Sequence, residues 1–247
     1  MALRILATLL ADGATQMALD EALLAHADGT TLRLYRWQPA AVSLGYFQAY
    51  APIAARLAGL PGQAPPVVRR ITGGGAIWHQ HEVTYCLVGT LGNDGLPGRT
   101  RDLYPLLHGA ICTALSVRGA RLTRQTATIG DRRYADEPRC FASPAADDLM
   151  LGAGKVLGSA ARARGERVLM HGSLKLASNP WDGDAVVGCG LDADQAGSAL
   201  VEGVAAALGL APSTGTLTAS ERDGMEAIRA QRYGRPDWVE RRVGLKA

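Results

Sequence analysis

Lysine is scarce in this chain. Of its 26 basic residues only three are lysine, Lys155, Lys175 and Lys246, so arginine fills almost every place where a cation is wanted. A lysine inside a glycine-rich stretch is then a candidate for work that needs a compact point charge with a shiftable pKa. Cysteine is scarce too. Cys86, Cys112, Cys140 and Cys189 lie far apart with no C-x-x-C spacing, which speaks against a zinc centre; no metal site is expected. In the absence of an export signal, free thiols in a reducing cytoplasm are expected rather than disulfides. Apolar runs are short, and none approaches the roughly 20 residues of a membrane span. The opening "MALRILATLLADG" has no small-residue cleavage pattern and reads as the first core element. No basic run is interleaved with aromatics and the net charge is only +3, so neither nucleic acid nor membrane is an expected partner. A mildly basic surface suits an acidic protein partner.

What is present is a globular pattern. Hydrophobic residues make up 47% of 247 positions, with no repeat, linker or low-complexity tract. One domain over residues 1–247 is expected, burying roughly 70–75% of its unfolded surface. "GATQMALDEALLAH" predicts an amphipathic first helix with Asp20 and Glu21 on its polar side. "TLRLYRW" alternates as a half-buried strand, and "AVSLGYF" and "PPVVRRI" read as further strands. "AIWHQ" and "EVTYCLVGT" read as two strands paired with each other. Helices are expected in "QAYAPIAARLAGL", from Asp102 to Gly119, in "DQAGSALVEGVAAALG" closed by Gly209, and in "SERDGMEAIRAQRYG". The interspersed strands and short hairpins point to an α/β (α+β) fold, a mixed β-sheet flanked by helices. The polar segment 124–139 is long enough to be a lid or binding loop.

The motifs centre on glycine. In "RRITGGGAIWHQHEVTY", Gly73, Gly74 and Gly75 match neither G-x-G-x-x-G nor a P-loop. Three bare residues let a backbone lie close against a ligand, with N–H groups facing an anionic oxygen. They equally suit a tight bend with solvent-facing arginines. Arg69 and Arg70 alternate along the strand, so at most one of them faces such a ligand. "DDLMLGAGKVLGSA" predicts a hairpin turned at Gly152 and Gly154, with Lys155, Leu157 and Ser159 on one face and Val156, Gly158 and Ala160 on the other. In "HGSLKL", His171, Ser173 and Lys175 share a face. His79 and His171 are candidates for a direct role or for buried, hydrogen-bonded positions. Among the thiols, Cys86 and Cys112 sit in apolar elements and read as core. Cys140 has Arg69, Arg70, Arg139 and Lys155 as candidate neighbours, whose positive potential favours a nucleophilic thiolate; a structural thiol is the other reading.

Taken together, "QMALDEALL", "RRITGGGAIWHQHEVTY", "CFASPAADDLMLGAGKVLGSA" and "MHGSLKL" resemble, in order and spacing, the superfamily of lipoate–protein ligases, octanoyltransferases and biotin–protein ligases. The resemblance spans roughly residues 14–177 and implies that superfamily's catalytic fold, with an acyl chain in a narrow apolar tunnel. Carried onto this sequence, it implies that Arg70, Gly73, Gly74, Gly75, Ala76 and His79 line the acyl site. Lys155 would bond the carbonyl oxygen, and Gly158, Ser159, Ala160, His171 and Gly172 would complete the wall.

One branch of the superfamily carries its nucleophile three residues before the H-G histidine; Val168 stands there in this chain. The ATP-dependent ligases commonly add an accessory domain; about 70 residues follow His171-Gly172, and these are expected to be too few for both the rest of the core and a full accessory domain. The branch with an acyl-accepting cysteine in a C-F segment ahead of the lysine hairpin, and H-x-x-E-x-T-Y after the glycines, matches Cys140-Phe141 and His79-x-x-Glu82-x-Thr84-Tyr85. That resemblance implies an octanoyl or lipoyl transferase with Cys140 and Lys155 as its catalytic pair. Its donor would be an acyl carrier protein or a lipoyl carrier, and its acceptor a lysine of a lipoyl domain or glycine cleavage H protein. As a transferase it would need no cofactor; as a lipoate ligase, the alternative, it would need ATP and magnesium. A non-catalytic acyl-binding protein is a third reading. The chain departs from the branch at Gly75, Gln80 and Ala161, where arginine, aspartate and glutamine are common.

Overall fold

The computed structural model describes residues 2–129, 134 and 136–242. The opening apolar run is strand β1 (Ala2–Ala11), followed by α1 (Gly13–His26), β2 (Thr31–Trp37), β3 (Ala41–Leu44), α2 (Tyr50–Ala58), β4 (Val67–Arg69), β5 (Ile77–His79) and β6 (Glu82–Thr90). The second half adds α3 (Leu103–Val117), β7 (Thr123–Arg124), β8 (Leu149–Leu151), β9 (Gly154–Arg164), β10 (Arg167–Lys175), α4 (Ala193–Leu208), β11 (Ala211–Gly215), α5 (Ala219–Ile228) and α6 (Pro236–Arg241). Eight strands form a mixed sheet in the order β11-β1-β2-β6-β10-β9-β8-β7, and β4-β3-β5 form a smaller one. This is the expected mixed sheet with flanking helices. No helix among the described residues is long and apolar enough to cross a membrane.

Period-two alternation in the central strands builds two cores at once. Val83, Tyr85 and Leu87 of β6, with Val168, Met170 and Leu174 of β10, face α3 and α4. Cys86 and Val88, with Leu169, face the cluster built around α1. His171 and Ser173 follow Leu169 at the same period, so the pattern that builds the core also delivers them to the α1 side. There the small sheet stands against the large one.

Four expectations change. Helix α1 is not amphipathic: Gln16 through Leu24 are all buried, because the helix lies between the sheet and α5. Asp20 and Glu21 are buried and paired, Asp20 with Arg33 and His171, Glu21 with Arg164 and Arg232. Strand β2 is covered on both faces, with Arg33 and Tyr35 as buried as Leu32 and Leu34. Strands β5 and β6 do not pair with each other. β5 joins β3 in the small sheet, whereas β6 runs between β2 and β10. The chain turns from one sheet to the other at His81, which holds the left-handed φ of 52°. Finally, the strict alternation expected along β9 breaks at a bulge. One step in β8, from Met150 to Leu149, is matched by two in β9, from Lys155 to Leu157. Val156 and Leu157 therefore enter the same core, and Lys155 lies on the side of Gly158. The lid expected over 124–139 includes positions 130–133 and 135, which lie outside the described residues.

Candidate active site

The segment before Cys140 is strapped to the end of the glycine loop. Ala76 N–H donates to the Pro138 carbonyl (2.7 Å), and Cys140 N–H donates to the Ala76 carbonyl (2.9 Å). The strap places the thiol beside the lysine that the β9 bulge has turned inward. Lys155 Nζ lies 3.6 Å from Cys140 Sγ and 3.3 Å from its carbonyl oxygen. Asp148 Oδ2 completes the ammonium's shell at 2.7 Å. Burial disfavours the charged lysine, but the pull of Cys140 and Asp148 outweighs it, and the Lys155 pKa rises above its ordinary value. Lys155 and Lys175 also flank the buried Phe141 ring, 5.1 and 4.9 Å from its centroid.

Arg70 organises the glycines. Its Nη2 donates to the carbonyls of Gly73 (2.7 Å) and Gly75 (2.8 Å), and its Nη1 to the carbonyl and hydroxyl of Ser43 (both 3.0 Å). In a trans peptide the N–H points opposite to the carbonyl. Drawing the Gly73 oxygen toward Arg70 therefore turns the Gly74 N–H away from the guanidinium. Gly74 itself needs a φ of 92°, which glycine adopts without strain. Arg69, on the opposite side of the strand, is committed to the carbonyls of Gly45, Gln48 and Val239.

Two imidazoles are fixed in the same manner. His79 Nδ1–H donates to Glu82 Oε1 (2.7 Å), leaving Nε2 to accept from Ser43 Oγ (2.7 Å). Its ring stacks on Trp37 at 3.8 Å. Burial pushes its pKa down to about 4, against the attraction of Glu82. Glu82 also pairs with Lys175 at 2.5 Å, and despite its burial this cation and His79 hold its carboxyl well below the usual range. His171 Nδ1–H donates to Asp20 Oδ2 (2.9 Å), and its Nε2 accepts from Thr72 Oγ1 (2.7 Å). Arg70 Nε donates to that same threonine hydroxyl at 3.2 Å.

These groups surround one narrow cavity of about 60 Å³, smaller than the roughly 300–1,000 Å³ of most ligand pockets. Of the residues expected at the site, Arg70, Gly74, His79, Cys140, Lys155, Gly158, Ser159, Ala160, His171 and Gly172 line it. Gly73, Gly75 and Ala76 stand behind the wall and hold it through their carbonyls. Arg139 turns to Glu137 and the Trp181 carbonyl, and Arg69 to main-chain carbonyls, so both guanidiniums are engaged away from the Cys140 sulfur. Sequence reading missed Asp148, Ser43, Tyr134 and Asp20. For Asp148 a signal existed, since it stands just ahead of β8, the strand paired with the lysine's own.

Comparison with known proteins fits this geometry. The lipoyl protein ligase A/B catalytic domain family matches residues 12–199. The chain belongs to this family. Among its relatives, octanoyltransferase LipM of Moorella thermoacetica is 32% identical over 272 residues, covering 97% of this chain and 98% of that protein. Octanoyltransferase LipM of Kyrpidia tusciae is also 32% identical, with the same coverage. Solved structures share the fold. A lipoate-protein ligase A bound with ATP superposes with a TM-score of 0.78 at 20% identity, covering 97% of this chain and 99% of that one. A bi-partite lipoate protein ligase from Thermoplasma acidophilum, studied with its E2 lipoyl domain, gives 0.74 at 18%, covering 100% and 98%. Within the lipoyl ligase family, then, this chain shares its fold with lipoate-protein ligases at about 20% identity and has higher identity, 32%, to proteins named octanoyltransferase.

Proposed function

We propose that this protein is a cytoplasmic octanoyl or lipoyl transferase that works through a thioester on Cys140. The observation that carries the reading is the Lys155 ammonium 3.6 Å from the Cys140 sulfur on the wall of a closed-in cavity. The similarity to octanoyltransferases over nearly the whole chain supports it. Cys140 attacks the thioester of an acyl carrier protein as a thiolate, with Lys155 as its counter-ion. As the carbonyl oxygen gains charge, Lys155 and the Gly74 N–H stabilise it, since donors already in place stabilise developing charge without reorganising. The carrier's sulfur leaves as a thiolate, which takes a proton from water, and the acyl group rests on Cys140. A lysine amine of a lipoyl domain or glycine cleavage H protein then attacks and forms the amide. One thioester replaces another at nearly equal energy and the amide step runs downhill, so the cycle needs neither ATP nor magnesium.

The test is an incubation with octanoyl carrier protein in the absence of ATP, followed by intact mass. An octanoyl adduct on Cys140 is expected, lost in Cys140→Ala. Product forming only with ATP and magnesium, and no adduct, would assign a ligase instead. Inertness with every donor would leave an acyl-binding protein.

A further inference from the structure

The transfer cycle leaves one proton unaccounted for. An acceptor lysine arrives as an ammonium, with an ordinary pKa near 10.4, and cannot attack until it loses a proton. Once Cys140 carries the acyl group its sulfur is no longer a base. Lys155 stays paired with Asp148 at 2.7 Å, which favours its ammonium form. Asp148 is committed to that ammonium and, at 2.6 Å, to the Ala145 N–H. Arg70 is a cation with every donor engaged. The phenols of Tyr35 and Tyr134 are pushed upward by burial and remain protonated. His79 is a poor acceptor, because burial lowers it to about 4.

We propose, on the reading of function above, that His171 is the base that frees the acceptor amine in the second half of the reaction. Asp20 fixes its tautomer from the Nδ1 side, so Nε2 is the accepting nitrogen; the Thr72 hydroxyl fills it at 2.7 Å and must turn aside for the incoming amine. A carboxylate behind one ring nitrogen orients the imidazole and stabilises the cation it becomes. Its position suits the task. On β10 and β9, His171 faces Ala160 and Ser173 faces Gly158, and the Lys155 ammonium lies over Gly158. His171, Cys140 and Lys155 line the same cavity, where an acyl carbonyl and an incoming nitrogen would meet.

The step balances. The acceptor ammonium gives one proton to His171 Nε2, and its lone pair forms the C–N bond. The C–S bond to Cys140 breaks, and the nitrogen's second proton passes to the departing sulfur. Amide, Cys140 thiol and a His171 imidazolium remain, and the imidazolium returns its proton to water.

The experiment separates the half-reactions. Octanoyl-Cys140 enzyme is prepared from His171→Gln, His171→Asn and the wild type, then mixed with either a lipoyl domain or hydroxylamine, an amine already neutral at pH 7.5. Both variants are expected to form octanoyl-Cys140, at whatever rate the altered cavity wall allows, and each variant's own adduct is then compared between the two amines. Transfer to the lysine of the lipoyl domain should fall by about 10²-fold, the lower range for loss of a general base. Equal losses with both nucleophiles, or an unchanged rate with lysine, would overturn the role of His171. Two variants guard against one that fails to fold, since formation of octanoyl-Cys140 reports an intact cavity. Absence of that adduct in the wild type would instead remove the transferase reading itself.

Discussion

Lys155 occupies the space that a side chain on Gly158 would need. A Cβ at position 158 would fall 2.3 Å from Lys155 Cε and 2.6 Å from Nζ. The glycine's value is thus steric: it lets the lysine fold back over its own strand toward Cys140. Gly158→Ala is expected to push the ammonium off the sulfur. A shift of about 1 Å in a positioned group costs on the order of 10²-fold, so octanoyl-Cys140 formation should drop by about that factor while the melting temperature changes little. Stopped-flow acylation with octanoyl carrier protein measures it, and wild-type kinetics in the alanine variant would refute the steric role.

Asp148 and Lys155 form a pair that is 6% and 2% exposed. Removing one member strands a buried charge, which costs about 3–5 kcal/mol. Asp148→Asn should therefore lower both stability and acylation. The double variant Asp148→Asn, Lys155→Met removes both charges and should regain most of the lost stability while staying inactive. Urea unfolding at pH 7 of the two variants checks this; a double variant no more stable than the single would contradict it.

Much of this site was legible in the chain because its marks are local. Three glycines after two arginines, a lysine among glycines, and His171, Ser173 and Lys175 at period two along β10 are patterns of neighbours in sequence. What stayed hidden depends on partners far away. Asp20 and Glu21 look like the wet side of α1, and only the arginines of β2, β9 and the chain's end explain how they are buried. Ser43 is one small residue in a short strand; its importance comes from Arg70 and His79, which reach it from outside that strand. The inward turn of Lys155 depends on a bulge set by the pairing of β8 with β9, and a period-two reading places the lysine on the wrong face relative to Gly158.

His79 makes stability depend on pH. Its folded pKa, about 4, lies below the ordinary 6.5. Between these values the unfolded chain binds a proton that the folded one does not, so stability falls as the pH is lowered through that window. Glu82, held well below the usual carboxylate range, stays charged throughout it. The slope should be on the order of 1 kcal/mol per pH unit. His79→Gln should flatten the wild-type curve between pH 6.5 and 4, whatever its own stability at neutral pH. Denaturant melts across this range decide, and parallel curves would show that His79 does not carry the effect.

Gly75 stands where the related branch often has arginine, and the structure gives a reason for the difference. A Cβ there would lie 2.5 Å from the Tyr134 ring and 2.7 Å from the Cys140 backbone nitrogen. The ring can turn aside, whereas the nitrogen is held by its 2.9 Å bond to the Ala76 carbonyl. Gly75→Ala should therefore displace the strap that aims Cys140 at Lys155 and slow acylation by about 10–100-fold, the scale of a misplaced catalytic group. Adding Tyr134→Ala relieves the ring contact but leaves the backbone one, so the double variant should recover little. Full recovery would place the conflict at Tyr134 alone and free the Cys140 strap from any dependence on glycine at 75.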